Sequence, residues 1–401
     1  MREIAVSRPG IPIQKSMTAL RHIAINGSML DDQPSGVGVY SLHVINNLAE
    51  LYNGELAERI TVFSPTSLYL NNKVRLHKLP DFMQSSKRGK LAAMARFAWN
   101  SLFYFSQARK YDVVISPTTH GSFRLRNQVI TIHDLISLKY NNISRHQRFY
   151  FRYLLPKLIA RATMIVTVSE TSKRDIIDLL GCDEDKVKVI HNGYDDSIYN
   201  TAKPTGNKIR DRFRVSDYIL AIGPTYPHKN FERLIDAYFS LGDELTSRHP
   251  LLIAGGKPGY LQKLRRHIDG NVLADRIVFA GYIPVELMPA LYHEASCLVF
   301  PSLYEGFGIP LLEAMGCGCP VLTSNTSSMP EVCGDAALFF NPLQTSEIAG
   351  SLTSILTNPT LRNSLREKGL AQSQKFSWKK TAHSLKLTIE TNFQNFKTSL
   401  Q

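Results

Sequence analysis

Along this chain, short apolar runs rich in β-branched residues recur, each followed by turn residues and then by apolar residues at helical spacing. Arg21–Asn26, Ile60–Phe63, Asp112–Ile115, Gln128–Ile132, Met164–Val168 and Val187–Ile190 are such runs. Strands that alternate with helices build a parallel sheet covered on both faces, because each crossover between parallel strands needs a helix. After a polar, Pro-containing stretch at Tyr199–Ser216 the pattern restarts with Tyr218–Ile222, Leu251–Ala254, Arg276–Phe279, Cys297–Phe300, Pro320–Thr323 and Ala337–Phe340. The expectation is therefore an α/β protein of two Rossmann-like, doubly wound parallel-sheet domains. A chain of 401 residues, more than one core usually supports, agrees. The expected boundaries are an N-terminal extension over 1–20, a first domain over 21–200, a linker over 201–215 and a second domain over 216–376. A closing amphipathic helix over 377–401 is expected to pack back toward the first domain.

Composition narrows the function classes. With 43% hydrophobic and 20% charged residues the chain is globular, neither disordered nor fibrous. Its 5 cysteines are scattered and odd in number, which points to reduced thiols in the cytoplasm. The N-terminus interrupts any signal-like core with Arg8, Pro9, Gln14 and Lys15, and no run is long enough to span a bilayer. A formal charge of +13 calls for an anionic partner: a nucleotide, a phospholipid surface or nucleic acid. Nucleic acid is disfavoured, since the basic residues form no recognition helix or RNP-like motif. A dinucleotide-dependent enzyme is the competing class, but no strand is followed by Gly-x-Gly-x-x-Gly with an acid about 20 positions on.

In doubly wound sheets ligands bind beyond the carboxyl ends of the strands, so a cleft between the two domains is the natural site. The most informative segment there is Pro301–Met315, which follows the strand ending at Phe300. Gly306 and Gly308 allow a tight turn and close approach to a ligand, while Pro310 suits a helix start whose amides face an anion. Glu305 lies before that helix and Glu313 about one turn inside it, positioned to address two parts of one ligand. Pro34–Tyr40, with Gly36 and Gly38, follows the first strand and opens a helix at about Tyr40; by itself such a turn is as often structural as phosphate-binding. Gly223–Asn230 follows the first strand of the second domain and carries Lys229, a point charge suited to a phosphate. Thr131–Leu135 sets His133 and Asp134 at a strand's carboxyl end. His120 reads as loop structure.

Other signals carry less. Asp183-Glu-Asp185 reads as a solvated turn, and Cys317-Gly-Cys319 lacks a second pair at zinc spacing. Between Lys87 and Arg126, basic residues interleave with Phe97, Trp99, Phe103, Tyr104 and Phe105, which fits an amphipathic helix on anionic lipid and equally a packed helix with a basic outer face.

Taken together, Gly36-Val-Gly38, Thr131–Leu135, Val166–Glu170, Val189–Gly193, Gly223–Asn230 and the Glu305-to-Glu313 loop, ending near Phe376-Ser-Trp378, resemble glycosyltransferase family 4, retaining nucleotide-sugar enzymes of GT-B architecture. The resemblance covers nearly the whole chain after about residue 20. It implies that Glu305 and the backbone of Gly306, Phe307, Gly308 and Ile309 hold the donor sugar and phosphate, and that Glu313 binds the ribose. It further implies that Lys229 and the amide of Gly38 meet the diphosphate and that His133, beside Asp134, contacts the transferred sugar. Members of the family often carry Arg where this chain has His228, and Arg or Gln where it has Val39. No metal or other cofactor is expected. The partners expected are a nucleotide-sugar donor, a saccharide or lipid-linked acceptor and an anionic membrane surface on its cytoplasmic face. The family reading leans to mannose from GDP-mannose, with a UDP-glucose enzyme as the alternative.

Overall fold

The computed structural model describes residues 20, 22–32, 36–52, 59–140, 143–223 and 225–399. Nearly all of the expected N-terminal extension, together with Arg21, Pro34, Ser35 and Pro224, lies outside the described residues.

The first sheet contains β1 (Ile23–Asn26), β2 (Ile60–Ser64), β3 (Arg75–Lys78), β4 (Val113–Ser116), β5 (Gln128–Ile132), β6 (Met164–Thr167) and β7 (Val187–Val189), in the order β3-β2-β1-β4-β5-β6-β7. The second contains β8 (Ile219–Ile222), β9 (Leu251–Ala254), β10 (Ile277–Gly281), β11 (Cys297–Phe300), β12 (Val321–Ser324) and β13 (Ala337–Phe340), in the order β10-β9-β8-β11-β12-β13. Every pairing is parallel; Ile25, for example, lies opposite Val62 on one side and Ile115 on the other. All four residues of β4, β9 and β11 are buried, as strands covered on both faces require, which explains their unbroken apolar sequence. In each sheet the winding reverses beside the first strand, so the crevices open at β1/β4 and at β8/β11.

Helix α1 (Gly36–Leu51) starts four residues before the expected Tyr40. Its buried face begins with Gly38 and Tyr40, while Gly36 and Val37 are exposed, so the apolar period is silent over the first turn. The stretch expected to be a linker contains a helix, Lys208–Phe213, pinned by buried Ile209. Tyr194 and Tyr199, both buried, carry one apolar cluster from the first sheet into the second unit.

The chain then returns. The terminal helix Trp378–Ser399 lies against α1: the Trp378 ring stacks on His43 with centroids 4.8 Å apart, and the Tyr52 hydroxyl donates to Glu390 Oε1 at 3.3 Å. Where this second crossing passes the first, a Cβ on Gly193 would stand 2.1 Å from the Trp378 nitrogen, so only glycine fits.

Helix α2 (Ser85–Ala98) runs through a π turn at Trp99–Phe103 into the helix Tyr104–Ala108. The aromatic residues divide. Trp99 and Tyr104 are buried against Phe63, whereas Leu91, Met94, Phe97 and Leu102 are exposed. Phe97 touches the ring of Tyr150, whose neighbours Phe149 and Tyr153 are exposed as well. The side chains of Lys87, Arg88, Lys90 and Phe103 lie outside the described residues. No described helix is long and apolar enough to cross a membrane.

Candidate active site

Two loops meet beyond the carboxyl ends of β8 and β11. After β8 comes the turn Pro227–Lys229, closed by Asn230 at a left-handed φ of 63°, a conformation Asn tolerates better than most residues. Asn230 Nδ2 donates to the carbonyls of Pro301 (3.1 Å) and Pro342 (2.7 Å), and the Leu303 amide donates to the His228 carbonyl at 2.8 Å. So stitched together, the loops bring Lys229 Nζ to 2.6 Å from Glu305 Oε1. Both side chains are largely shielded, at 18% and 13% exposure, where an ion pair is less screened than at the surface.

The Glu305 loop is held from the side by the turn after β12. Ser327 Oγ donates to the Glu305 carbonyl at 2.7 Å and accepts from its amide at 3.2 Å, and Ser328 Oγ stands 3.0 Å from the carbonyls of both Glu305 and Phe307. Sequence reasoning passed over both serines. Their signal was a run of small polar residues, Ser324–Ser328, directly after a strand. Gly308, at φ 100°, caps the helix Ile309–Gly316, and Phe307 is buried in the core.

Gly306 is where the two units approach. An added Cβ would lie 2.5 Å from the His133 carbonyl oxygen and 3.1 Å from Asp134 Cβ. Its own carbonyl accepts from Ser169 Oγ at 2.7 Å, while Ser172 Oγ donates to the His133 carbonyl at 3.0 Å. Further bonds cross beside it: Tyr304 donates to Asp175 Oδ2 at 2.5 Å, and Glu331 accepts from the Glu170 amide at 3.0 Å and pairs with His191 at 2.7 Å. Glu170 opens the helix Glu170–Leu180, so the Glu331 carboxylate sits at the positive end of its dipole.

On the first unit, β5 ends at Ile132 and presents His133 and Asp134. His133 Nε2 lies 2.9 Å from the Pro117 carbonyl, which can only accept, so Nε2 carries the proton and Nδ1 is an acceptor. Burial pushes this imidazole down to about 4, keeping it neutral at pH 7. The edge of its ring meets Tyr40 of α1 at 4.5 Å between centroids, which brings the start of α1, with Gly36 and Gly38, to this side of the cleft. Asp134 accepts from the Ile136 amide at 3.0 Å; burial raises its carboxyl above the usual range, with Glu305 and Asp175 adding to the rise and Lys229 opposing it.

Glu313 has other surroundings. Oε2 accepts from the Tyr292 hydroxyl at 2.7 Å, Tyr199 bonds the same carboxyl, and burial pushes it up to about 7 against these bonds. His133, Asp134, Glu305, Gly306 and Lys229 thus form one group, and Glu313 faces the tyrosines from the next helix. Neither tyrosine stood out in the sequence. His228 is buried and its Nδ1 has no hydrogen-bond partner among the described residues; burial and then Lys229 push the ring down to about 4. His120 bonds Thr118 in the first unit, and Asp183 caps the short turn Glu184–Lys186. All five cysteines are buried thiols.

The arrangement supplies a cation beside a carboxylate, a helix start, and a neutral imidazole acceptor across a narrow cleft. Residues 34–198 match the model of "Glycosyltransferase Family 4", and residues 208–372 that of "Glycosyl transferases group 1". The chain is 31% identical to the O-antigen chain mannosyltransferase B of Escherichia coli, across 86% of this chain and 93% of that one. It is 30% identical to the serotype-specific mannosyltransferase WbdA of E. coli across 86% of this chain, but spans only 43% of that longer protein. Among solved structures, HepE of Anabaena in complex with UDP and glucose superposes with a TM-score of 0.66 at 18% identity, over 94% of this chain and 100% of that one, a likeness of fold. With both halves matched, and a relative above 30% identity aligned along most of it, the chain belongs to glycosyltransferase family 4 and has the GT-B fold.

Proposed function

We propose that this glycosyltransferase moves mannose from GDP-mannose, with retention of anomeric configuration and without a metal ion, onto a saccharide or lipid-linked acceptor of a surface polysaccharide or glycolipid. The names of its O-antigen relatives support the sugar and the pathway class. The observation that carries the chemistry is the Lys229–Glu305 pair, 2.6 Å apart, set beside His133 and the helix start at Ile309. A diphosphate entering here competes with Glu305 for the Lys229 ammonium. Lys229 then turns to the leaving group, and Glu305 is released to face the sugar. The negative charge that develops as the sugar–phosphate bond breaks meets the ammonium and the helix amides, which are already oriented and need no reorganisation. The acceptor hydroxyl attacks from the leaving-group face and passes its proton to the departing phosphate, so no carboxylate nucleophile is required. His133 Nδ1 accepts a hydrogen bond from a hydroxyl of the transferred sugar.

UDP-glucose is the second donor reading, favoured by the UDP and glucose bound in HepE. Hydrolysis of GDP-mannose, UDP-glucose and NAD by the purified protein, followed by NMR of the product anomer, separates the readings. GDP-mannose turnover that survives EDTA and yields the α-anomer from an α-donor is expected. Activity lost in EDTA and restored by Mn²⁺ would overturn the metal-free mechanism. The exposed apolar residues of α2 and its continuation, in a chain of charge +13, support contact with an anionic membrane surface.

A further inference from the structure

A cavity of about 470 Å³ opens on the first unit beyond the carboxyl ends of β2 and β3, with Asp32, Thr66, Tyr69, Lys78, Asp81 and Gln84 in its wall. It lies apart from His133. His133 follows β5, and the sheet order sets β5 three strand spacings from β2. At ~4.8 Å per strand that is roughly 14 Å, more than one sugar ring spans.

The wall holds an unmet need. Gln84 is 1% exposed; its Nε2 donates to the Pro65 carbonyl at 3.2 Å, and its Oε1 has no hydrogen-bond partner among the described residues. A buried acceptor left in this state favours a ligand that brings a donor. Thr66 Oγ1 donates to Asp32 Oδ1 at 2.6 Å, and Lys78 Nζ lies 2.8 Å from Asp81 Oδ1. The carboxylates of Asp32 and Asp81 add acceptor oxygens to the wall, suited to hydroxyl donors. Tyr69 adds an apolar face: its side chain is exposed although its backbone sits at a left-handed φ of 66°, a strained conformation for an aromatic residue. The strain is held in place by Asn46, whose Nδ2 donates to the Tyr69 carbonyl at 2.8 Å.

We propose that this cavity binds a sugar residue of the acceptor chain remote from the one that receives the new sugar, so that the enzyme reads its acceptor beyond the end. The inference rests on the glycosyltransferase reading and adds a second acceptor subsite, in which polar acceptors of the wall meet sugar hydroxyls beside the exposed ring of Tyr69.

The test uses the full chain, with methyl α-mannoside and linear α-mannotetraose, and the corresponding glucosides, as calorimetric probes. Wild-type protein binds a tetrasaccharide more tightly than its monosaccharide. Tyr69→Gly removes the ring while relieving the backbone, so its Tm holds or rises. Its tetrasaccharide affinity falls about tenfold, while monosaccharide affinity and donor hydrolysis stay at the wild-type level. Gln84→Leu reproduces the selective loss. A wild type without length dependence in either series, an unchanged Tyr69→Gly, or displacement of the tetrasaccharide by inorganic phosphate overturns the proposal. Donor hydrolysis by the wild type is measured alongside; its absence would count against the glycosyltransferase reading instead.

Discussion

Two glutamates on one loop-helix junction live in opposite surroundings, and their chemistry should part accordingly. Glu305 is paired with Lys229; in the proposed mechanism it faces the sugar as positive charge develops at the anomeric carbon, so its contribution should grow toward the transition state. Glu305→Gln should lower turnover strongly and leave affinity for the free nucleoside diphosphate nearly intact. Glu313, which the family resemblance would set on the ribose, should contribute equally before and during reaction. Glu313→Gln should weaken both donor and free nucleotide by about 1.5–3 kcal/mol, the range for hydrogen bonds to charged groups. Calorimetry with GDP and steady-state kinetics on both variants decide; identical profiles would refute the assignment. A second expectation concerns Glu313 alone. Folding lifts its carboxyl from 4.5 to about 7, so the stability it contributes is complete below the unfolded value and is lost as pH rises through 7. Glu313→Gln, which keeps a neutral acceptor for the tyrosines, should therefore gain ~2 kcal/mol over wild type at pH 8. The gain should vanish near pH 4.5, and thermal denaturation at the two pH values measures it.

At the scale of elements, the Glu305 loop owes its shape to the turn after β12 more than to its own sequence. Removing both hydroxyls, Ser327→Ala with Ser328→Ala, leaves the carbonyls of Glu305 and Phe307 without these partners and should loosen the loop. Turnover should fall about tenfold or more, as for misplaced catalytic groups, with nucleotide affinity little changed. Unaltered kinetics in the double variant would remove the serines from the machinery. The same turn shows where sequence reading ends. β5, β9, β11 and β13 have the bounds that their apolar runs suggest, and Glu305, Gly306, Lys229 and His133 converge because each follows a strand in a regular α/β pattern. β3 escaped, since Arg-Leu-His-Lys at a sheet edge keeps most of its side chains in solvent and shows no apolar run. Ser327, Tyr199 and Tyr292 escaped for a different reason: each acts on a glutamate from another segment, and no local spacing records that.

For the molecule as a whole, the apolar residues exposed along α2 and the net charge of +13 predict binding to anionic vesicles that weakens sharply as salt rises, each basic residue near the surface contributing about 1 kcal/mol. Equal sedimentation with neutral and anionic vesicles would discard that contact. Acid should act on the fold through histidine. His120, His133 and His228 are all pushed down to about 4 by burial, so the stability gained from keeping them neutral is complete above their unfolded value of 6.5 and is lost as pH falls toward 4. A Tm that stays level from pH 6.5 to 4 would contradict this. The chain also passes between its two halves twice, and the passages touch at Gly193, where the backbone of Ser377 and Trp378 leaves no room for a side chain. Two pins set side by side make a pivot. Any swing of one half against the other would turn about that point, since sliding or drawing apart would strain both passages, and the gap at Gly306 would then open as an angle. Gly193 is in this sense the axle of the molecule, and its missing side chain is what lets the two pins share one seat.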